Sequence, residues 1–215
     1  FGKYTNKKII NKFLKKVDVI TFEFENIPFK VLAYMNKKVN VLPNPSINKI
    51  IQNRYLEKNF INKLQIKTTK FEYIKSKKDL LNNLDLLPGI LKTCTLGYDG
   101  KGQIVINSSD QSKKMKIDFR KEYILEKKIN IKKEASVIIT RFGSKKYEIY
   151  EPIENIHKDQ ILKHSKIPCN INKKTKNKAI AYAKLISEKL NYIGTLCVEY
   201  FIDKKNNLYV NEIAP

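Results

Sequence analysis

Apolar residues fall in short runs along this chain, and the period and punctuation of each run predict the elements. Residues 17–24 (VDVITFEF) are β-branched and aromatic and end before Asn26-Ile27-Pro28, the pattern of a buried strand. Residues 29–36 predict a short helix and residues 39–42 a strand halted by Pro43. Strand, helix and strand at this spacing predict the end of a parallel α/β sheet. Ser46 is the expected cap of a helix running to about residue 53, with a second helix over 55–64.

From residue 70 the texture changes. Short strands rich in Ile and Val are predicted at 71–74, 89–93, 103–106, 123–127, 134–141 and 146–150, with a helix over 77–84. Ala179, Ala183, Ile186 and Leu190 recur at helical spacing within 175–190, and Gly194 follows shortly after. Strands at 195–202 and 208–213 close the chain. The expected fold class is mixed: an α/β piece over residues 1–53, then an α+β unit with much antiparallel sheet over 54–215. No internal repeat or low-complexity linker divides them.

Composition changes this picture little. The 215 residues are 42% hydrophobic and 30% charged, enough apolar surface for a sizeable core. No apolar run reaches the 18 or so residues of a membrane helix, so no membrane partner is expected. The chain starts at Phe1 and stops at Pro215 directly after a strand-like run, which predicts a piece cut at both ends. Forty-three Lys and Arg against 21 Asp and Glu give a net charge of +22, which suggests a polyanion partner. The arginines, however, are Arg54, Arg120 and Arg141 alone, and bidentate phosphate or base reading favours arginine. The lysines are spread throughout and accompany abundant Asn and Ile, as A/T-rich codons would produce. A solvated basic surface without nucleic acid is therefore expected. Cys94, Cys169 and Cys197 form no CxxC pair, which fits a reducing cytoplasm rather than a zinc site or disulfide scaffold.

Two features carry chemistry. Three of the seven glycines fall in Gly97-Tyr98-Asp99-Gly100-Lys101-Gly102. Glycines admit positive φ and bring backbone N–H groups close to an anion. The GK[ST] ending of a Walker loop is absent, and a strand follows where a dinucleotide fingerprint has a helix. That leaves a flap between antiparallel strands able to close over phosphates, or a plain hairpin turn. The second feature is a pair of carboxylates. With Lys204-Lys205-Asn206-Asn207 as the turn and Asp203 opposite Leu208, antiparallel counting sets Glu199 opposite Glu212. Facing carboxylates repel unless a cation lies between them. Such oxygen ligands suit Mg2+, with ATP phosphates completing its shell. Solvent-facing glutamates are the plainer alternative, and the apolar neighbours of Glu199 weaken it.

Loop, carboxylates and the segments between them resemble the ATP-grasp family, and within it a branch that carboxylates a purine precursor. The carrying segments are FEFENIP from Phe22, QNRYLEK from Gln52, ILKT from Ile90, GYDGKGQ from Gly97 and ILEKKINIKKEASVIITR from Ile124. EPIENIHKDQIL from Glu151, GTLCVEYF from Gly194 and VNEIAP from Val210 complete the set. They run in order over nearly the whole chain. The resemblance implies an ATP-grasp fold, antiparallel sheets flanked by helices, preceded by the end of a Rossmann-like pre-ATP-grasp domain.

It also implies the site. Arg54 and Lys92 would bind ATP phosphates. Gly97, Tyr98, Asp99, Gly100, Lys101, Gly102 and Gln103 would form the flap, with Tyr98, Asp99 and Lys101 facing the substrate as catalytic residues. Glu126, Lys127, Lys128 and Ile129 would be the adenine hinge, offering backbone groups to the base. Glu134 would hold the ribose, His157 would lie along the nucleotide cleft, and Asn211 and Glu212 with Glu199 would hold magnesium. The implied reaction is ATP-dependent carboxylation of 5-aminoimidazole ribonucleotide by bicarbonate, through carboxyphosphate, in a cytoplasmic homodimeric ligase. In the family, residues that bind bicarbonate follow NEIAP and a glycine-rich turn precedes the segment matching Phe1, so the 215 residues alone are expected to bind nucleotide without turnover. Formate-dependent glycinamide ribonucleotide transformylase, another carboxylase subunit, a non-catalytic ATP-binding module and a basic nucleic-acid-binding protein are the competing readings.

Overall fold

The computed structural model describes residues 2–22, 24–97 and 102–215. Helix α1 (Lys7–Leu14), strand β1 (Val19–Thr21), helix α2 (Phe29–Asn36) and strand β2 (Asn40–Leu42) form an N-terminal unit. β1 and β2 pair in parallel with Ile20 opposite Val41, as the strand–helix–strand pattern predicts. Ile10, Leu14, Leu32 and Met35 bury these two residues in a core separate from the rest. The strand expected over 17–24 is shorter than its apolar run. β2 offers three residues to pair with, and only Ile20 of β1 is buried, while Val19 and Phe24 are exposed.

Helix α3 (Pro45–Ile51) begins ahead of the expected Ser46 cap. The Asn44 side chain accepts the Ser46 N–H, and Pro45 fills the first helical position, where a missing N–H costs nothing. Helix α4 (Arg54–Lys63) is capped by Asn53, whose side-chain carbonyl oxygen accepts from Tyr55 and Leu56. Ile47 of α3 and Ile61 of α4 are buried in the main core of the C-terminal unit.

Strands β3 (Phe71–Ile74), β4 (Gly89–Thr93) and β5 (Gln103–Ile106), helices α5 (Lys77–Asn82) and α6 (Ser109–Lys114), and strand β6 (Tyr123–Lys127) form a second layer. α5 is shorter than the 77–84 expected, because a 3₁₀ turn takes over at Leu84–Leu86. The sheet is antiparallel in the order β3-β6-β4-β5 and closes over Ile74, Leu80, Leu91, Ile106 and Leu125. The third layer holds strands β7 (Ile131–Gly143), β8 (Lys146–Ile149), β9 (Ile153–Lys158) and β10 (Ile161–Lys166), helix α7 (Lys173–Lys189), and strands β11 (Gly194–Asp203) and β12 (Leu208–Ala214). Its order is β10-β9-β7-β11-β12, with β8 also on β7. Ala179, Ala183 and Ile186 of α7 join Val137, Ile139, Leu196 and Val198 in the largest core. No helix among the described residues is long and apolar enough to cross a membrane.

The β11–β12 hairpin departs from simple counting in a way that matters. Ile202, not Asp203, pairs with Leu208, and Asp203 instead ties the turn by accepting the Lys205 and Asn207 N–H groups. The register then shifts between Glu199 and Tyr200, where Asn211 is the extra residue of a β-bulge. Glu199 therefore does face Glu212, through two departures that cancel. In an unbroken strand alternate residues share a face. The bulge instead sends Val210 and Ile213 into the core and both Asn211 and Glu212 into the cleft between the layers.

Candidate nucleotide and metal site

A cleft of about 480 Å³ lies between the four-stranded sheet and the β7–β12 sheet, with the start of α4 at its side. Of the residues singled out in the sequence, Arg54, Lys92, Gly97, Gln103, Glu126, Lys127, Lys128, Ile129, Glu134, His157, Glu199, Asn211 and Glu212 all line it. They come from nine separate stretches of sequence between positions 54 and 212, so only the fold brings them together. Tyr98, Asp99, Gly100 and Lys101 lie outside the described residues. Gly102 is not a lining residue: its carbonyl accepts the Thr93 N–H at the base of the flap. Its φ of +75°, and the 2.6 Å that would separate an added Cβ from the Thr93 hydroxyl, both require glycine there.

Glu126 on β6 forms one end of the cleft. Its carboxylate is buried and meets Lys58 Nζ at 3.3 Å and Lys92 Nζ at 3.1 Å, while the Thr69 hydroxyl donates to it at 2.8 Å. Burial acts to raise its pKa, but the two ammonium groups overcome that and hold it down at about 2. Lys58 also donates to the hydroxyls of Thr68 and Thr69 at 2.8 and 3.0 Å. Lys92 is thus aimed into the cleft by a carboxylate that is itself fully ionised.

The hinge assignment is narrowed by the backbone. The Lys127 N–H donates to Lys70 O at 2.8 Å and the Lys128 N–H to Pro88 O at 2.9 Å. These two donors are committed within the protein, so a base would meet other groups of 126–129. The Glu126 side chain points to the lysines.

The opposite end is acidic. Glu199 carries a pKa pushed up to about 7, by burial first and by Glu212 and Glu134 next. Glu134 is likewise raised by burial, and its Oε2 lies 2.9 Å from His157 Nδ1. Arg54 is the cation here. Its Nη1 meets Glu212 Oε2 at 3.1 Å and its Nη2 donates to Gly97 O at 3.3 Å, so it joins the carboxylate pair to the root of the flap. Glu57, three residues along α4 and the partner in the plainer reading of Arg54 as a surface ion pair, is not the carboxylate it meets. Glu57 is buried beside this pair, and burial together with Glu212 lifts its pKa well above the usual carboxylate range.

The residues present fit a magnesium ion bound with a nucleotide. Among the described residues no three His, Cys, Asp or Glu side chains converge as a self-sufficient metal cage. Two facing carboxylates and the Asn211 amide are what remain, and Mg2+ is commonly held by one or two carboxylates with phosphate oxygens and water supplying the rest. Repulsion between Glu199 and Glu212 is the electrostatic demand that such a cation would meet.

Glu57, Lys58, Thr68 and Thr69 were not singled out by their residue types. One signal was present: Glu57, Ile61 and Leu64 share a helical stripe, and Glu57 and Ile61 are both buried. A charged residue on an apolar stripe marks a partnered buried group.

The chain matches two family models, the ribonucleotide synthetase preATP-grasp domain over residues 1–52 and the ATP-grasp domain over residues 59–215. It is 38% identical to an N5-carboxyaminoimidazole ribonucleotide synthase of Staphylococcus aureus strain MRSA252, over all of this chain and 58% of that protein. Among solved structures, an N5-carboxyaminoimidazole synthetase of Staphylococcus aureus complexed with ADP superposes with a TM-score of 0.91 at 36% identity, covering 100% of this chain and 58% of that one. An N5-carboxyaminoimidazole ribonucleotide synthetase of Thermus thermophilus gives 0.90 at 27% identity, covering 100% and 59%. The chain therefore spans somewhat under three fifths of the length of these relatives.

Proposed function

We infer the activity from one established premise: the chain belongs to the ATP-grasp family. Its cleft is the nucleotide-binding part of a cytoplasmic ligase, homodimeric as a whole, that carboxylates 5-aminoimidazole ribonucleotide with ATP and bicarbonate. Two units serve this, residues 1–53 completing a pre-ATP-grasp domain and residues 54–215 supplying most of the ATP-grasp cleft, which Glu25, Asn26, Ile51 and Gln52 also line. The observation that carries the reading is the pair Glu199 and Glu212, facing each other across β11 and β12 and lining the same cleft as Lys92.

ATP and bicarbonate are both anions, so the reaction requires their charge to be neutralised and water kept out. Lys92 and Arg54 bind the phosphates. Glu199, Glu212 and Asn211 would hold magnesium, which when bound would neutralise phosphate charge. Glu134 takes the ribose hydroxyls, with His157 fixing its orientation, and the segment 126–129 meets the adenine. The bicarbonate oxygen attacks the γ-phosphorus and ADP leaves, giving carboxyphosphate. The ribonucleotide's exocyclic amine then takes the carboxyl carbon as phosphate departs. Tyr98, Asp99 and Lys101, outside the described residues, are assigned to the ribonucleotide by the family resemblance alone.

The test is ADP release by the full-length protein that contains this chain, with and without the ribonucleotide and bicarbonate. Release that requires the ribonucleotide, with carboxylated product only when bicarbonate is present, is the expected result. Release driven by formate and glycinamide ribonucleotide would move the substrate and keep the cleft. Binding of Mg-ATP without any turnover would leave a nucleotide-binding module.

A further inference from the structure

β12 is the outer strand of its sheet, so alternate backbone groups face away from β11. On that outer side the Val210 N–H donates to Lys67 O at 2.8 Å, and Val210 O accepts from the Thr68 hydroxyl at 2.8 Å. A regular strand would next present the N–H of residue 212 on the same side. The bulge at Asn211 moves the outward N–H to Ile213, and Glu57 Oε1 accepts it at 2.6 Å. Glu57 is 2% exposed, and among the described residues it forms no ion pair with a lysine or arginine. A buried carboxyl group that meets no cation within 4 Å among the described residues directs its acceptor at this one displaced backbone N–H, so the contact fixes where that N–H lies.

We propose that Glu57 is a positioning residue: by accepting the Ile213 N–H on the outer edge of β12, it holds the bulge that turns both Asn211 and Glu212 into the cleft. Losing the acceptor leaves a buried N–H unpaired, and the strand recovers by slipping Asn211 back into register, which alternates residues 211 and 212 to opposite faces. One of the two oxygen donors would then leave the cleft. The inference rests on the magnesium–nucleotide reading above for its consequence, while the clamp itself is a matter of backbone register.

The test compares Glu57→Met, similar in length and without an oxygen acceptor, with Glu57→Gln, which keeps an oxygen acceptor in a neutral side chain. Amide hydrogen exchange at Ile213 reads the clamp, and calorimetric titration with ATP, with and without Mg2+, reads its consequence. In Glu57→Met, Ile213 exchange should rise at least ~tenfold relative to neighbouring core amides. The gain in ATP affinity on adding Mg2+ should fall about tenfold, with Mg2+-free affinity within about threefold. Glu57→Gln should restore both. Unchanged exchange and Mg2+ dependence in Glu57→Met, or a Gln variant as impaired as the Met variant, would overturn the proposal. If Glu57→Met does not fold, the Gln variant decides alone: Ile213 protection kept supports the clamp, and protection lost in an otherwise intact protein overturns it. A parent protein without Mg-ATP affinity would instead remove the nucleotide reading, and Ile213 exchange would still decide whether Glu57 holds the bulge.

Discussion

The two ends of the cleft solve the same electrostatic problem in opposite ways. At one, a single carboxylate, Glu126, is buried between two lysines and a threonine hydroxyl, and its pKa is drawn down to about 2. At the other, Glu199, Glu212, Glu134 and Glu57 crowd together with Arg54 in contact with Glu212, and the Glu199 pKa is pushed up to about 7. The first cluster is compensated within the protein and serves as scaffold. The second holds more carboxyl groups than cations, and their raised pKa values show a repulsion that a proton or a bound cation relieves. A buried charge cluster is thus read by its balance as well as its residue types.

The largest effect should come from unbalancing the compensated end. Glu126→Gln leaves Lys58 and Lys92 buried side by side without their shared anion, at an expected cost of roughly 3–5 kcal/mol. Urea unfolding at pH 7 measures it. A loss below about 1 kcal/mol would mean that the lysines find other partners and that the two ends differ less than their geometry indicates.

At the acidic end the opposite sign is expected for the ligand-free protein. Glu199→Gln removes one member of a repelling pair and should raise stability by about 1 kcal/mol at pH 8. The same change should weaken Mg-ATP binding about tenfold, or ~1.4 kcal/mol, because one metal oxygen is lost. Thermal melts and titration calorimetry on one preparation separate the two. Stability and affinity falling together would make Glu199 a structural residue.

A pH series sharpens the contrast. The folded pKa of Glu126 lies below the ordinary 4.5, so its contribution is present above that pH and is lost as the pH falls toward 2. The folded pKa of Glu199 lies above 4.5, so its contribution is present below that pH and is lost as the pH rises through about 7. The advantage of Glu199→Gln over the parent should therefore grow between pH 5 and 8, and Mg-ATP should abolish it. A pH-independent difference would remove repulsion as its cause.

How much of this contrast was legible in sequence follows from where its residues lie. The flanking strands at 71–74, 89–93, 103–106 and 123–127 are short apolar runs rich in Ile, Leu and Val, and those runs locate them to the residue although their burial does not alternate strictly. Glu199 and Glu212 stood out as acids inside apolar strands. Their pairing was reached by a count that missed both the turn and the bulge, since an inserted residue leaves no mark in a period of two. Glu57 and Lys58 carry no sequence mark of burial beyond the stripe with Ile61, because their partners lie on β12 and β6, more than 60 positions away. The β9–β10 hairpin, which brings His157 to Glu134, is polar and half exposed, so it gave no strand pattern to read.

The smallest predicted effect tests whether the compensated end is redundant. Thr69 donates to Glu126 at 2.8 Å and accepts from Lys58 at 3.0 Å, joining the two partners it touches. Thr69→Val keeps the shape and removes both bonds. Glu126 would still meet Lys92 and Lys58, and Lys58 would still donate to Thr68. No group is left without a partner, so the loss should be only about 0.5–1.5 kcal/mol, with ATP affinity within about threefold. A loss as large as that of Glu126→Gln would show that the network acts as one unit, with the hydroxyl setting the spacing of the charges. A loss near 1 kcal/mol would locate the stability of this end in the charge balance itself, the property that the acidic end lacks until a cation is bound.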